Sequence, residues 1–339
     1  MGIIYFLIIS FFSFQALAQT TYVIPNPYKN RKSLSAKSVA VGWSQRNRAG
    51  FEYQKSKSKE ETDGVKSGES DDTLFTPFLF GSSSGLSTEI FIGDLEFKDD
   101  FNSTETETDL QIFKFAILPP QSNFVFGLDY ANAKSDSNSE VELKSIGLGF
   151  GFKSPTNVYF GFGLDKVELS VNNTDLDEDG DVTFQFGAGI VQKDIGGEAL
   201  LFYTNEEDVK TYEVLSTVYI NSSPANQFIG TLSIESQKGG DDDEDNLTIS
   251  INAGADIDYQ KDFYFAPSLE RVVAKSEDND PTDDKTVSTE LGLELGYRKS
   301  DVNIYFALTI SDEKTEDNVA NSDVEDKGSG YYLGANLNF

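Results

Sequence analysis

Apolar and polar residues alternate along many separate segments of this chain, and this alternation limits the fold more than any other feature of the sequence. The clearest example is segment 331–339, which carries Tyr331, Leu333, Ala335, Leu337 and Phe339 on one side and Tyr332, Gly334, Asn336 and Asn338 on the other. Successive side chains of a β-strand point to opposite faces, so this segment predicts a strand with one apolar face. Similar segments of about ten residues recur from residue 38 onward, and we predict an all-β fold.

Two kinds of connection alternate between these segments. Short connections rich in Pro, Gly, Asn and Ser lie near 82–85, 119–122, 153–156, 193–196, 221–225, 258–261 and 298–300. Mostly longer, acidic connections lie near 55–72, 98–107, 133–139, 172–181, 205–209, 237–245, 275–285 and 312–328. This regular exchange predicts a closed antiparallel up-and-down transmembrane β-barrel, with short turns at one rim and acidic loops at the other.

Sixteen strands fit the pattern of the connections. Their predicted starts lie near residues 38, 73, 86, 109, 123, 140, 157, 182, 197, 210, 226, 246, 262, 286, 301 and 329. Fourteen strands is the alternative, because segments 109–118 and 197–204 carry apolar residues on both faces.

A soluble β-sandwich would also alternate, so the character of the two faces has to decide. The apolar face is rich in Phe and Leu in nearly every segment, whereas the opposite face is Gly, Ser, Thr and Asn. Aromatic residues also collect beside the short turns, as in the interfacial girdles of membrane barrels. These are Phe80, Phe124, Phe152, Phe228, Phe263, Tyr297 and Phe339. The sequence therefore favours a barrel whose apolar face contacts lipid.

The first 37 residues lack the barrel pattern. Residues 1–18 combine a short apolar run with Ala16-Leu17-Ala18, which is typical of a cleaved secretory signal peptide; an uncleaved membrane anchor is the alternative. Residues 19–37 contain Pro25 and Pro27 and predict a periplasmic lead-in; its entry into the barrel interior stays open as an alternative. Residues 38–339 form the predicted barrel.

Composition excludes several functions. The sequence has no His and no Cys, which removes His-dependent triads, imidazole metal sites and disulfides, and we predict that the protein is not an enzyme. A net charge of −30 argues against nucleic acid as a partner and favours attraction of cations.

The face opposite the apolar one carries ionisable residues that are nearly all acidic. The candidates are Glu89, Lys114, Asp129, Asp165, Glu198, Glu213, Glu235, Asp256, Glu270, Glu290 and Glu294. Rings of carboxylates in a pore favour cations. We select Glu89, Asp129, Asp256, Glu290 and Glu294 as pore-lining acidic residues.

Asp175, Asp177, Asp179 and Gly180 match the start of a calcium-binding loop. The twelfth position holds Phe186 instead of Glu, and a strand follows instead of a helix, so a solvated acidic hairpin is the simpler interpretation. No cofactor is predicted, and weak Ca²⁺ or Mg²⁺ binding at the acidic loops, including bridges to lipopolysaccharide phosphates, stays open.

These features together resemble the Gram-negative outer-membrane β-barrel proteins of porin type. Tyr332, Gly334, Leu337 and Phe339 are similar to the assembly signal of that family. The resemblance implies an outer-membrane location, contact with lipid and lipopolysaccharide, insertion by the barrel-assembly machinery, and an association that is often trimeric. In general porins the third long loop narrows the pore, but here the corresponding loop, 133–139, is short.

The expected function is passive diffusion of small hydrophilic solutes, with a preference for cations. The alternative is a structural or surface-interaction barrel with an occluded lumen and acidic ion-binding loops. A transporter for apolar solutes would need an apolar interior, which the Gly, Ser, Thr and Asn face argues against.

Overall fold

The computed structural model describes residues 48–62, 64–83, 86–99, 104–117, 123–136, 140–156, 158–171, 174–175, 181–192, 194–206, 209–223, 226–239, 245–260, 262–277, 284–299, 302–317 and 322–338. The described part of the chain consists of β-strands joined by turns. The strands are β1 (Arg48–Thr62), β2 (Val65–Ser83), β3 (Leu86–Asp99), β4 (Thr104–Ile117), β5 (Phe124–Asp136), β6 (Glu140–Lys153), β7 (Val158–Val171), β8 (Thr174–Asp175), β9 (Asp181–Val191), β10 (Ile195–Glu206), β11 (Val209–Ser223), β12 (Asn226–Lys238), β13 (Asp245–Gln260), β14 (Phe263–Glu277), β15 (Asp284–Lys299), β16 (Val302–Asp317) and β17 (Ser322–Asn338).

All these strands lie in one antiparallel sheet with up-and-down order. Each long strand pairs with its neighbours in sequence; β8 has only two residues, so β7 pairs directly with β9. All fifteen residues of β1 have partners on both β2 and β17. The prediction of sixteen long strands is confirmed and the fourteen-strand alternative is wrong, because β4 and β10, the two ambiguous segments, are fully paired strands.

Several segments predicted as long acidic loops are extensions of the strands. β2 begins at Val65 instead of near 73, and β17 begins at Ser322 instead of near 329. The ladder continues because the polar side chains there also pair across it: Ser58 and Ser70 hydroxyls lie 3.0 Å apart, and Lys57 Nζ lies 2.7 Å from Asp71. The β1–β2 hairpin turns at Gly64, whose φ of 75° is a conformation that glycine adopts readily.

The sheet has one apolar face and one polar face. On β15, Leu291, Leu293 and Leu295 are exposed by 49%, 43% and 52%, whereas Glu294 between them is only 6% exposed. Exposed Phe, Leu, Ile and Val side chains continue on this face around the sheet, and we call them the apolar band. A continuous exposed apolar surface is unfavourable in water and suits contact with lipid.

Aromatic pairs mark the edge of the apolar band beside the short turns, which we call the turn end. The ring centroids of Phe124 and Phe152 lie 5.2 Å apart, and those of Phe263 and Tyr297 lie 5.1 Å apart. Both pairs are direct cross-strand partners, the arrangement in which aromatic side chains stabilise a sheet. The predicted aromatic girdle is therefore present at these positions.

The proposed signal peptide (1–18), the lead-in (19–37) and the first ten residues of the predicted barrel lie outside the described residues, so these predictions stay predictions. Within the described ranges, no helix is long and apolar enough to cross a membrane.

Candidate functional site

The polar face carries the predicted pore-lining residues in two separate groups. In the first group, the backbone register places Glu89 of β3 opposite Lys114 of β4, and Lys114 opposite Asp129 of β5. Asp129 lies opposite Gly147 of β6, which lies opposite Asp165 of β7. Three acidic residues, one lysine and one glycine thus form one row across β3–β7.

The carboxylates of Asp129 and Asp165 share the space above Gly147. Asp129 is 1% exposed and Asp165 is 4% exposed. A Cβ atom at position 147 would overlap an Oδ1 atom of each aspartate, so only glycine leaves room for both. Gln185 on β9 donates a hydrogen bond from Nε2 to Asp165 Oδ2. Asp165 was an ionisable candidate of the sequence analysis that was not selected as pore-lining, and it is buried within this row.

The second group surrounds Glu294, whose two carboxylate oxygens each accept a tyrosine hydroxyl. Tyr264 donates to Oε1 and Tyr332 donates to Oε2, each over 2.7 Å. Next to them, the Tyr305 hydroxyl donates to Glu52 on β1. Glu294 is therefore held in place by charge-assisted hydrogen bonds rather than pointing freely into solvent.

Asp256 is paired with a base that sequence reasoning missed. Arg298 Nη2 lies 3.1 Å from Asp256 Oδ2, and Arg298 Nη1 lies 3.5 Å from Asp258 Oδ1. The guanidinium also stacks on Tyr264, with its Cζ 4.2 Å from the ring centroid. Residues 298–300 were predicted as a turn, but β15 continues to Lys299. Arg298 lies an even number of residues after Glu294 on this strand, so its side chain is on the same face. This spacing is the signal that could have placed Arg298 on the polar face.

Glu290 differs from Asp129, Asp256 and Glu294 because it is exposed on the polar face. It lies directly opposite Glu270 of β14, which accepts a hydrogen bond of 3.2 Å from Ser250. Glu213 and Glu235 are opposed in the same way on β11 and β12, and Ser233 donates to Glu213 over 2.7 Å. Glu290 is thus an exposed carboxylate on the polar face, and Glu270, Glu213 and Glu235 are partly exposed there.

Tyrosine rings on the polar face lie over glycines of the neighbouring strand. An added Cβ at Gly196, Gly296 or Gly334 would overlap the ring of Tyr219, Tyr264 or Tyr305, respectively. Gly334 and Tyr332 of the predicted assembly signal therefore also have structural roles, since Gly334 admits a ring and Tyr332 binds Glu294. Leu337 is 56% exposed on the apolar face, and Phe339 lies outside the described residues.

The polar face is not uniformly polar, contrary to the expectation from composition. Leu200, Phe202, Leu215, Tyr219 and Ile229 lie on this face of β10–β12 and are only 1–4% exposed. Leu200 lies opposite Gly187 of β9 in the register. The apolar residues that made segment 197–204 ambiguous therefore pack on the polar face.

The predicted calcium loop is described only in part. Asp175 lies in β8, and Asp177 and Asp179 lie outside the described residues. Across the described ranges, no group of three or more His, Cys, Asp or Glu side chains is arranged to hold a metal ion.

No protein-family model and no curated protein matches the sequence, but solved structures match the fold. Pseudomonas aeruginosa OpdQ matches with a TM-score of 0.50 and 10% identity, over 86% of this chain and 99% of that chain. A bacterial polysaccharide outer membrane secretin matches with 0.48 and 14%, over 85% and 98%. The Pseudomonas putida toluene transporter TodX matches with 0.47 and 10%, over 96% and 97%. The chain has the fold of outer-membrane β-barrel proteins.

Proposed function

We propose that the protein is a channel of the Gram-negative outer membrane, through which small hydrophilic solutes diffuse passively. The single observation that carries the proposal is the division of one sheet of sixteen long strands into an exposed apolar face and a polar face on which the Glu290 carboxylate is exposed. Because β1 pairs with both β2 and β17, we infer that the sheet closes into a barrel with the polar face inside. Closed barrels of this size typically hold an aqueous channel.

The proposed preference for cations rests on the charges of the polar face. Glu290 is exposed there, and two pairs of glutamates face each other across neighbouring strands. Two basic residues described on the polar face are offset by acids: Arg298 pairs with Asp256, and Lys114 lies opposite Asp129. The excess of negative charge would raise the local concentration of cations.

Charges inside the channel and charges at its mouth should differ in their dependence on salt. Exposed charges are screened beyond about 8 Å at physiological ionic strength, whereas partly buried charges are screened less. The cation preference should therefore weaken as salt rises and then reach a residual value set by the interior carboxylates.

A planar bilayer containing the purified, folded protein tests this proposal. In a KCl gradient we expect stepwise conductance and a reversal potential with the sign of a cation-selective pore. An anion-signed potential would overturn the electrostatic argument. Absence of conductance from correctly folded protein would overturn the channel itself.

The second candidate is a structural or surface-interaction barrel with an occluded interior. One observation favours it: the apolar side chains on the polar face of β10–β12 are almost completely covered, so this part of the face is not open to solvent. Folded, heat-modifiable protein that never conducts, at any voltage or salt concentration, would support this candidate over the channel.

The proposal includes assembly in the membrane. Outer-membrane lipid and lipopolysaccharide would cover the apolar band, and the barrel-assembly machinery would recognise the terminal strand with Leu337 and Phe339; trimer formation remains a prediction from the resemblance. Deleting Phe339 should lower the amount of heat-modifiable barrel in the outer membrane of expressing cells. An unchanged folded yield would contradict the role of Phe339 in assembly.

A further inference from the structure

A recess of about 220 Å³ opens on the polar face where β14, β15, β16, β17 and β1 lie side by side. Its polar lining is supplied by Gln54, Ser268, Glu290, Glu294, Thr309 and Tyr332. None of its described lining residues is Lys or Arg. The recess therefore combines hydroxyl and amide groups with negative charge.

Glycines create the space in this recess. Gly292 lies between Ser268 and Thr309 in the register of β14, β15 and β16. A Cβ at Gly292 would overlap Ser268 Oγ, and one at Gly330 would lie 2.9 Å from Thr309 Oγ1. The two hydroxyl groups thus lie close against neighbouring glycines, and the volume above them stays open.

The two glutamates of the recess differ in their exposure and in their hydrogen-bond partners. Glu294 is 6% exposed and its oxygens accept the hydroxyls of Tyr264 and Tyr332, so it forms a fixed wall. Glu290 is exposed and faces Glu270 across the strands, so its carboxylate can receive a group from solution. A positively charged donor would relieve the repulsion between these two acids and form charge-assisted hydrogen bonds.

We propose that this recess binds small hydroxylated ammonium compounds of the amino-sugar class as they pass through the channel; the proposal rests on the channel function above. The ammonium group donates to Glu290, and the ring hydroxyls exchange hydrogen bonds with Ser268, Thr309 and Gln54. The volume corresponds to about seven water molecules at ~30 Å³ each, which suits one sugar ring rather than a longer chain.

Three sugars of the same ring size and different charge test the proposal. Saturation-transfer NMR with folded protein in detergent micelles would compare glucosamine, glucose and glucuronate. We expect glucosamine to bind best and glucuronate worst. Glu290→Gln should weaken glucosamine binding about tenfold, which corresponds to one charge-assisted hydrogen bond. The matched control Glu235→Gln removes the same charge from the polar face outside the recess and should leave binding unchanged.

Thr309→Val provides a second variant that keeps the charge of the recess. It should weaken glucosamine and glucose alike, because both present ring hydroxyls. Equal binding of the three sugars, or equal effects of Glu290→Gln and Glu235→Gln, would overturn the proposal. Conductance in a bilayer distinguishes failure of the sugar site from failure of the channel. If the protein conducts but binds no sugar selectively, only the recess proposal is wrong. If it binds glucosamine selectively but does not conduct, the channel function is wrong and the binding site stands.

Discussion

Two adjacent residues of β15 should respond in opposite ways to the same substitution. Leu293 is 43% exposed in the middle of the apolar band and lies between Pro267 of β14 and Leu308 of β16. An arginine on the lipid face near the bilayer midplane costs about 2–4 kcal/mol. At 1.4 kcal/mol per factor of ten, Leu293→Arg should lower the folding equilibrium constant in lipid about 30- to 700-fold.

Gly292 is the neighbour of Leu293 on the polar face, and Gly292→Arg should be tolerated. The new Cβ would overlap the hydroxyl of Ser268, which can rotate away, and would meet Thr309 Cγ2 at an ordinary 3.8 Å. The guanidinium would then enter the recess beside Glu290. We expect a folded barrel with lower conductance and a weaker preference for cations.

Urea titration of both variants in lipid vesicles, read by heat-modifiable electrophoresis, measures this difference. Leu293→Phe is the control, because it keeps an apolar side chain at the same site and should fold like the original protein. Equal folding of Leu293→Arg and Gly292→Arg would show that the two faces have been assigned wrongly. Loss of folding in Leu293→Phe would show that the site tests shape rather than charge.

Three further expectations follow from the polar face. Glu290→Gln should reduce cation selectivity in a KCl gradient, most strongly at low salt because this carboxylate is exposed. Glu294→Gln should mainly destabilise the barrel, and equal selectivity losses in the two variants would contradict the distinction. Gly147→Ala should cost about 1–3 kcal/mol in a urea titration because it displaces two carboxylates, whereas Gly230→Ala, with nothing within 4 Å of the new Cβ, should cost less. Asp72 lies beyond the apolar band, and burial, followed by nearby acids, raises its pKa to about 6. Cation selectivity at low salt should therefore decrease as the pH falls from about 7 to 5, because this carboxylate takes up a proton. Asp72→Asn should remove that part of the pH dependence.

The same pKa shift has a defined effect on stability. The folded protein holds a proton on Asp72 that the unfolded chain releases at lower pH, because the folded pKa lies above the ordinary value of 3.8. The contribution of Asp72 to folding is therefore most favourable at low pH, and it decreases as the pH rises from about 4 to about 6.

The strand pattern could be predicted from the sequence because each strand has one face in contact with lipid and one face that is polar. This requirement repeats the same alternation along the whole chain, and it located the starts of β3, β6 and β12 at the residues observed. The prediction failed in the parts of the strands that no longer have one apolar and one polar face. Beyond the apolar band, pairs such as Lys57 and Asp71 continue the ladder without an apolar face, so these strands were predicted as loops.

The candidate site could be predicted only as a set of residues on one face. The alternation placed Glu290 and Glu294 on the polar face, but their different states depend on partners from distant parts of the sequence. Tyr332 reaches Glu294 from a strand 38 residues away, and no local pattern indicates this contact. The pairing of Arg298 with Asp256 was missed for the same reason, since it spans 42 residues.

The pairing of β1 with β17 has a consequence for the order of folding. A hydrogen bond across this seam joins Tyr305 to Glu52 over 253 residues of sequence, whereas the other strands pair with near neighbours. Contacts of such long range are slow to form because a long loop must close first. Until β17 pairs with it, the edge of β1 stays open and invites aggregation. Pairing of β1 with β17 is therefore the step at which the folding chain most needs another protein to cover its open edge.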